Sequence, residues 1–362
     1  MIALSAIHID VVELPLRVPF ATALRKTATV TDIRVTLRTQ DGAAGVGSAA
    51  PTAAITGDTT AGITAAIREH IAPALRGVDL ADLDAACETV ERALVRNTSA
   101  KAAVDIALHD LHARICGVPL ARFLRGDIRP LATDATVSLG EPDRMAAQAA
   151  EFTTAGFRVL KIKLGGRDGR DVDRVQRVRN AVGPAIRLRV DANQAWTARE
   201  ALRIIERLPA LAVEYVEQPV PAHDLAGLRE VSRHSALPIA ADESVFDMRD
   251  LLRVLDQRAA DIVNIKLMKA GGLRQAAQMA ATARAAGVMV MVGSMMEGVA
   301  SVTAAAGLAA ATQCAHIDLD AAYFLKDSRA KGGVTYDGPA ITFTPGAGLA
   351  VEFTPDAAPA SP

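Results

Sequence analysis

The segment Phe157–Leu164 reads FRVLKIKL, and the fold follows from how regularly runs of this kind recur along the chain. Eight short apolar runs occur, and each is followed by a segment with helical spacing of its apolar residues. The runs are Thr133–Leu139, Phe157–Leu164, Ile186–Asp191, Val213–Glu217, Ile239–Asp242, Ile262–Leu267, Val288–Val292 and His316–Asp320. Their starts lie 23 to 29 residues apart, about the length that a strand, a helix and two loops require. This alternation predicts an α/β fold built on an eight-stranded (β/α) barrel.

An open, doubly wound sheet is the alternative for the same alternation. That fold would more often carry a glycine-rich phosphate-binding turn after its first strand, and no such turn follows Leu139. The closed barrel is therefore expected.

The chain before the barrel has a different pattern. Residues 3–14 and 30–39 alternate as half-buried strands do, Gly42–Gly47 indicates a turn, and residues from about 59 have helical spacing. We predict a small α+β capping domain over residues 1–125.

The barrel domain is predicted over residues 126–325. Residues 326–362 are expected to return to the capping domain, because Gly332–Phe353 alternates again. The stretch from residue 354 to 362 is rich in Pro and Ala and is expected to be frayed.

Composition excludes several classes of function. The chain has 362 residues with 40 Lys+Arg and 41 Asp+Glu, so its net charge of −1 offers no field for binding nucleic acid. The uncharged stretch 298–315 is mostly Ala, Gly, Thr and Ser and is expected to be a buried helix, so no membrane partner is expected.

The ends of the chain and its cysteines bear on the compartment. Residues 1–15 do not resemble a secretory signal. Cys87, Cys116 and Cys314 form neither a disulfide framework nor a zinc motif. We expect a reducing compartment and a cytoplasmic location.

Charged residues fall at the ends of the predicted barrel strands. Asp191, Glu217 and Asp242 end three consecutive runs, and the carboxyl ends of all barrel strands meet at one mouth. Three carboxylates held close together would repel one another without a divalent cation, and hard oxygen ligands suit Mg²⁺. The sequence therefore predicts one magnesium site, open to water or to a substrate carboxylate.

Lysines occupy the second and sixth runs. Lys161 and Lys163 are two residues apart, so both point into the barrel while Ile162 packs outward. Their mutual repulsion and partial desolvation are expected to lower a lysine pKa enough for general base catalysis. Lys266 would face them from across the pocket, so that one lysine removes a proton and the other returns it. Lys269 lies past its strand and is expected at the surface.

Asp318 and Asp320 place two carboxylates on one face at the end of the eighth run. Because three acids and a base are already assigned, their better use is to hold a substrate ammonium group. A structural role, or support of the metal site, is the alternative.

These motifs together resemble the enolase superfamily, and within it the muconate-lactonizing subgroup. The segments that carry the resemblance are Lys161-Ile-Lys163, Asp191-Ala-Asn193, Glu217-Gln-Pro219, Ala241-Asp242-Glu243-Ser244 and Asn264-Ile-Lys266, with Ala107–Leu111 in the capping domain and Gly332-Gly333 in the return segment. The resemblance implies a modified (β/α)7β barrel and magnesium-assisted proton abstraction by lysine.

The Asp318–Asp320 pair, the segment Gly293–Glu297 and Pro19–Arg25 are similar to the dipeptide epimerases of that subgroup. This resemblance implies that Lys163 and Lys266 flank the α-carbon of the second residue of a dipeptide, with Lys161 beside them. It also implies that Arg25 binds a glutamate side chain, and that Thr136, Ser294 and Met296 line the pocket. Two departures affect specificity: Ala321-Ala322-Tyr323 follows the Asp pair, and Ser48 stands where an acid is common.

The motifs and the resemblance together predict a magnesium-dependent isomerase. The resemblance implies that it is a dipeptide epimerase whose small-molecule substrate is L-Ala-L-Glu or its L,D epimer from peptidoglycan turnover. An o-succinylbenzoate synthase or N-acylamino acid racemase with the same lysines and acids is one alternative. A metal-binding scaffold without catalysis is another. Barrels of this kind often assemble as homo-oligomers, and the sequence leaves the number of subunits open.

Overall fold

The computed structural model describes residues 2–354. The predicted frayed tail therefore lies, apart from Thr354, outside the described residues.

All eight predicted runs form parallel strands of one sheet, which confirms the barrel. The strands, called the first to eighth barrel strands, are Ala135–Val137, Val159–Lys163, Arg187–Asp191, Val213–Glu217, Ile239–Ala241, Ile262–Lys266, Met289–Gly293 and His316–Asp318. They pair in chain order, so the first and eighth strands lie at the two open edges of the sheet. Side chains join these edges: Leu319 N donates to Thr133 Oγ1 at 2.9 Å, and Thr136 N donates to Asp320 Oδ2 at 2.7 Å.

Seven helical connections follow the first seven strands. They are Pro142–Thr154, Asp171–Val182, Ala198–Ile205, Leu225–His234, Met248–Gln257, the pair Leu267–Ala270 and Leu273–Ala285, and Val299–Thr312, with a 3₁₀ turn at Pro209–Leu211. Only a 3₁₀ turn, Ala321–Phe324, follows the eighth strand, which is the (β/α)7β form. Side-chain caps define several helix starts, for example Thr197, which forms a capping box with Glu200.

The uncharged stretch 298–315 forms the buried helix Val299–Thr312, as expected. Between residues 2 and 354, no helix is both long enough and apolar enough to cross a lipid bilayer.

The N-terminal region forms an antiparallel sheet packed on helices. Its strands are Leu4–Ala21, Lys26–Thr39 and Ala44–Ala49, and its helices are Thr60–Ala74, which contains a π-helical turn at Ala66–Ile71, Leu83–Arg92, Thr98–Ile115 and Leu120–Phe123.

The expectation of a turn over Gly42–Gly47 is wrong, because Ala44–Ala49 is a strand that lies directly on the helix Thr98–Ile115. A Cβ on Gly45 would lie 2.1 Å from Ala107 O, and one on Gly47 would lie 2.1 Å from Ala103 O. The glycines are therefore needed for close packing of a strand on a helix.

The C-terminal segment forms two small sheets. In the first, Ala340–Phe343 lies between Val334–Asp337 and Leu131–Ala132 and pairs with both. In the second, Ala330–Gly332 pairs with Val351–Phe353. The segment also contacts the N-terminal region, since Leu120 N donates to Gly348 O at 2.7 Å. The exact division at residues 125 and 325 stays a prediction.

Asp110, which is fully buried in the helix Thr98–Ile115, joins three parts of the chain. Its oxygens accept hydrogen bonds from Val46 N at 2.7 Å, Leu349 N at 2.6 Å and Arg114 Nε at 2.7 Å. The N-terminal sheet, the helix and the C-terminal segment are therefore held at one carboxylate.

We expect Asp110→Asn to lower the free energy of unfolding by about 3 kcal/mol. An amide keeps one oxygen and turns its NH₂ group toward backbone donors, so at least one N–H loses its acceptor. Urea denaturation measures the change. The matched control is Asp84→Asn, whose side chain is 87% exposed and pairs with Arg274, and it should cost less than about 0.5 kcal/mol. Equal losses in the two variants would contradict the assignment.

Candidate active site

Three lysines converge at the mouth of the barrel. Lys161 and Lys163 point inward from the second barrel strand and Lys266 ends the sixth, and the three are 1%, 5% and 5% exposed. Lys163 Nζ lies 2.6 Å from Asp191 Oδ2, and Lys266 Nζ lies 2.7 Å from Asp242 Oδ2. Each of these two lysines therefore contacts a different carboxylate.

Lys161 has the most central position of the three. Its Nζ lies 2.7 Å from Asp318, 2.8 Å from Glu217 and 3.3 Å from Asp191. One ammonium group thus contacts carboxylates from the third, fourth and eighth strands.

The expectation that the Lys161–Lys163 pair lowers a lysine pKa is wrong for Lys161. Burial lowers the pKa of Lys161, but the charges of Asp318, Glu217 and Asp191 outweigh burial and hold it well above its usual range. Burial is likewise outweighed at Lys266, whose pKa is raised by Asp242. The neighbouring carboxylates, which the lysine spacing alone does not reveal, therefore stabilise both ammonium forms.

The predicted metal ligands end consecutive strands as expected. Asp191 and Glu217 are the last residues of the third and fourth strands, Asp242 follows the fifth, and all three are buried. Burial raises the pKa of Glu217 to about 7 against the opposing charge of Lys161. At Asp191 and Asp242 burial is outweighed by the adjacent lysines, so their pKa values lie below the ordinary range.

Several buried oxygens at this site have no hydrogen-bond donor, and they indicate whether the site fits a metal ion. Asn193 Oδ1, Glu243 Oε2 and Asn264 Oδ1 are buried and accept no hydrogen bond. Glu217 Oε2 and Asp242 Oδ1 also lack a partner with hydrogen-bond geometry, although a lysine Nζ lies within ion-pair distance of each. These hard, buried oxygens lie within the sixth strand and at or just after the ends of the third to fifth strands. They are the donor set that Mg²⁺ prefers, so the residues present fit the ion.

Asp318 and Asp320 form a second acidic group with Asp134, which the sequence analysis did not single out. One carboxylate oxygen from each lies within 4.8 Å of the others, and all three side chains are buried. Within residues 2–354, Cys87, Asp105 and His109 are the other set grouped this closely, and the predicted metal ligands are not such a set. Burial, and then the charge of Asp318, raises the pKa of Asp320 to about 7.

One cavity collects the remaining predicted residues. It is lined by Arg25, Thr136, Lys163, Lys266, Ser294, Met296, Asp318 and Asp320, together with Phe20, Thr22, Ile55, Asn193 and Met295. The other four predicted residues adjoin this cavity through the ion pairs of Lys161, Lys163 and Lys266. The structure thus brings all twelve predicted residues to one mouth.

Arg25 reaches the cavity from the N-terminal sheet. It ends the loop Thr22–Arg25, in which Thr22 N donates to Arg25 O at 2.9 Å, and Leu139 N fixes the loop to the barrel by donating to Ala21 O at 3.0 Å. Burial lowers the pKa of Arg25 against the opposing charge of Glu297. In the described structure its guanidinium has no carboxylate within 4 Å, which leaves it available to an anion.

Three polar residues of the site, Lys269, Asn193 and Glu243, receive no role in the site from the sequence alone. The expectation that Lys269 is at the surface is wrong: it is 1% exposed, and its Nζ lies 2.6 Å from Asp242 Oδ1 and 2.9 Å from Asn264 O. A helical turn, Leu267–Ala270, directly follows the sixth strand and turns Lys269 back into the barrel. Asn193 and Glu243 each lie two residues after the end of a barrel strand. A search for polar residues at strand ends finds them when it includes the two residues that follow each strand.

A capped eight-stranded barrel with lysines and carboxylates at its mouth defines a class of acid–base enzymes. Residues 6–125 match the family described as mandelate racemase / muconate lactonizing enzyme, N-terminal domain, and residues 144–357 match the family described as enolase C-terminal domain-like. The chain belongs to the enolase superfamily, as its motifs predict.

Relatives define the class of reaction. An L-Ala-D/L-Glu epimerase of Bacillus subtilis is 44% identical over 344 residues, which cover 94% of each chain. The solved structure of a substrate-liganded complex of the B. subtilis L-Ala-D/L-Glu epimerase covers 97% of this chain and 99% of its own, with TM-score 0.94 and 43% identity. A dipeptide epimerase of Enterococcus faecalis, complexed with Mg and L-Leu-L-Tyr, covers 96% and 99% with TM-score 0.91 and 36% identity. The expectation of an isomerase of amino acid derivatives is confirmed at the level of this class.

Glu297 is 1% exposed and shapes the pH dependence of stability. Burial raises its pKa from 4.5 to about 7, against the hydrogen bond from Met295 N. The folded state therefore binds this proton more tightly than the unfolded chain, so stability falls as the pH rises from 4.5 to about 7.

The free energy of unfolding should fall between about pH 5 and about pH 7.5 in the wild type. We expect this fall to be smaller in Glu297→Gln, by roughly 1–3 kcal/mol. Glutamine cannot ionise, so it escapes the cost of a buried charge. Urea denaturation at the two pH values measures the difference. Replacing the exposed Glu151 by Gln is the control and should leave the pH dependence unchanged. The assignment fails if Glu297→Gln follows the wild-type pH dependence.

Proposed function

We propose that this chain is a magnesium-dependent dipeptide epimerase that moves the α-proton of the C-terminal residue, with L-Ala-L-Glu and L-Ala-D-Glu as its favoured pair. The observation that carries the proposal is that Lys163 and Lys266 line one cavity from the second and sixth strands. Two lysines on different sides of a barrel can serve as base and acid on opposite faces of one carbon.

The two ends of a dipeptide find separate partners in this cavity. Asp318 and Asp320 would bind its free ammonium group through charge-assisted hydrogen bonds. Asp191, Glu217 and Asp242 would hold the magnesium ion, and Asn193 and Glu243 offer further oxygens beside them. When bound, the ion would neutralise part of the charge of the substrate carboxylate, which would make the α-proton more acidic. It would also neutralise part of the charge of the protein carboxylates, which would lower the pKa of the lysines beside them.

The lysines themselves move the proton. A neutral Lys163 or Lys266 removes it at Nζ, and the opposite lysine, as an ammonium, returns a proton from the other face. Asp191 and Asp242 orient these two Nζ atoms at 2.6 Å and 2.7 Å. The ring of Phe20, 6.0 Å from Lys163 Nζ, covers one side of the cavity and helps exclude water.

Arg25 supports the choice of glutamate. Its half-buried guanidinium lines the cavity and leaves its charge available to a substrate carboxylate. The names of the relatives at 44% and 41% identity point to the same dipeptide. An N-acylamino acid would place a neutral amide against Asp318 and Asp320, which disfavours the acyl alternatives.

We also propose that the enzyme acts in the cytoplasm. Cys87, Cys116 and Cys314 are all free thiols, which supports a reducing compartment.

The proposal predicts that magnesium-loaded protein in deuterium oxide exchanges the C-terminal α-proton of L-Ala-L-Glu, as proton NMR would show. Chelation of the metal should stop the exchange, and added magnesium should restore it. Lys163→Ala and Lys266→Ala should each lose epimerisation by about 1000-fold, while each retains exchange of only one epimer, because one base remains.

The control is Lys331→Ala, an exposed lysine remote from the cavity, which should keep both activities. If no dipeptide in a broad library exchanges its α-proton, the proposed function is wrong. Exchange of N-acylamino acids in preference to dipeptides would favour the acyl alternative instead.

Arg25→Met should lower kcat/KM for L-Ala-L-Glu by about 100-fold, because the glutamate side chain loses its cationic partner. Activity on L-Ala-L-Met should fall much less or rise. Steady-state kinetics on the two dipeptides gives this ratio, and Arg38→Met is the matched control from the same sheet. Equal losses on both dipeptides would assign Arg25 a structural role.

A further inference from the structure

Asp134 is a buried carboxylate for which the proposed reaction has no use. It directly precedes the first barrel strand, is 1% exposed, and does not line the cavity. Its Oδ2 accepts a hydrogen bond from Arg189 Nη1 at 2.7 Å, but its Oδ1 is buried with no hydrogen-bond partner. A buried oxygen without a donor is costly, so its neighbours need to be considered.

The neighbours of Asp134 are also acids. Asp134, Asp318 and Asp320 each place one carboxylate oxygen within 4.8 Å of the other two. Three full negative charges this close inside a protein repel strongly, so at least one of them favours the protonated form. The three oxygens therefore form one group that shares charge.

The cations that face this group are already engaged. Lys161 pairs with Asp318 at 2.7 Å. Arg189 divides its guanidinium between Asp134, Glu214 at 3.0 Å and His316 Nδ1 at 3.0 Å, and it packs over Tyr215. Neither cation supplies a full charge to Asp134 alone.

At Asp134, burial and the neighbouring carboxylates outweigh the nearby cations. Burial and the charge of Asp318 raise the pKa of Asp134 well above its ordinary value, against the opposing charge of Arg189. A proton on Oδ1 would also provide the hydrogen-bond donor that this oxygen otherwise lacks, with Asp318 or Asp320 as the acceptor.

We propose that Asp134 is a positioning residue that holds a proton in the substrate-free enzyme, shares it with Asp318 and Asp320, and releases it when a substrate ammonium binds to that pair. The O–H bond of the carboxylic acid breaks, the proton passes to the buffer, and the new carboxylate charge is balanced by the ammonium. This inference rests on the proposed function and deepens it by adding a third carboxylate to the ammonium site. A neutral N-acyl group cannot replace the proton, so Asp134 favours substrates with a free amino group.

Calorimetry tests the release directly. Magnesium-loaded enzyme is titrated with Ala-Glu that has been equilibrated between its two epimers, so that turnover contributes no net heat, in buffers of different ionisation enthalpy. The wild type should release between about half a proton and one proton per dipeptide bound, and Asp134→Asn should release almost none and bind about tenfold more weakly. Asp134→Glu, which keeps the acid, should restore release.

Thr133→Val is the structural control. Thr133 is next to Asp134, and its Oγ1 accepts a hydrogen bond from Leu319 N, which follows the eighth strand. The variant therefore weakens the contact between the first and eighth strands without changing any charge. It should release as many protons as the wild type. Unchanged proton release in Asp134→Asn would overturn the inference.

Infrared spectroscopy of the substrate-free enzyme gives a second test that needs no dipeptide. The buried acids Glu217, Glu243 and Glu297 also have pKa values of about 7, so they contribute to the band of protonated carboxyl groups near neutral pH. This band should be weaker in Asp134→Asn than in the wild type by about one carboxyl group. Persistence of the whole band in the variant would overturn the inference while leaving α-proton exchange, and so the proposed function, intact. If the wild type neither binds nor exchanges any dipeptide, the proposed function fails, and the infrared band alone decides whether Asp134 holds a proton.

Discussion

The buried ammonium group of Lys161 is the interaction on which the rest of the site depends. Its Nζ lies within 3.3 Å of carboxylate oxygens from the third, fourth and eighth strands, and it is itself held by the second. An isolated charge in this position would cost several kcal/mol, and three carboxylates offset that cost. The Lys161 ammonium group thereby connects four strands. Asp191 also contacts Lys163, so the position of Lys163 depends on the same cluster.

Local patterns predict the parts of the molecule that repeat. The eight strands follow from apolar runs at a regular period, and the carboxyl ends of parallel barrel strands must meet, so Asp191, Glu217 and Lys266 are predictable as neighbours. Lys269 is not, because one helical turn after the sixth strand reverses the direction of its side chain. Gly45 and Gly47 are misjudged for a related reason: a glycine pair indicates a turn locally, whereas here the missing Cβ atoms allow a strand to pack on a helix.

The position of Arg25 shows a second limit of sequence reasoning. Its loop belongs to the N-terminal sheet, more than 130 residues before Lys163, and periodicity says nothing about where a loop tip lies in three dimensions. Only the resemblance to dipeptide epimerases directed attention to it. The fold places the proposed proton chemistry on rigid strand ends and the proposed side-chain recognition on a loop of the cap. The loop can therefore vary without disturbing the lysines.

The charge balance of the barrel interior connects the metal, the substrate and Asp134. Seven buried carboxylates, Asp134, Asp191, Glu217, Asp242, Glu243, Asp318 and Asp320, face five buried cations, Lys161, Lys163, Arg189, Lys266 and Lys269. The acids in excess show raised pKa values, since burial brings Glu217, Glu243 and Asp320 to about 7. Protons on these acids and a divalent ion are two ways of supplying the same positive charge. Glu217 and Glu243 would exchange protons for magnesium, and the acids at the first and eighth strands would exchange a proton for the substrate ammonium. The proton equilibrium of this site and its affinity for ligands are then one property, set by how many carboxylates the barrel buries together.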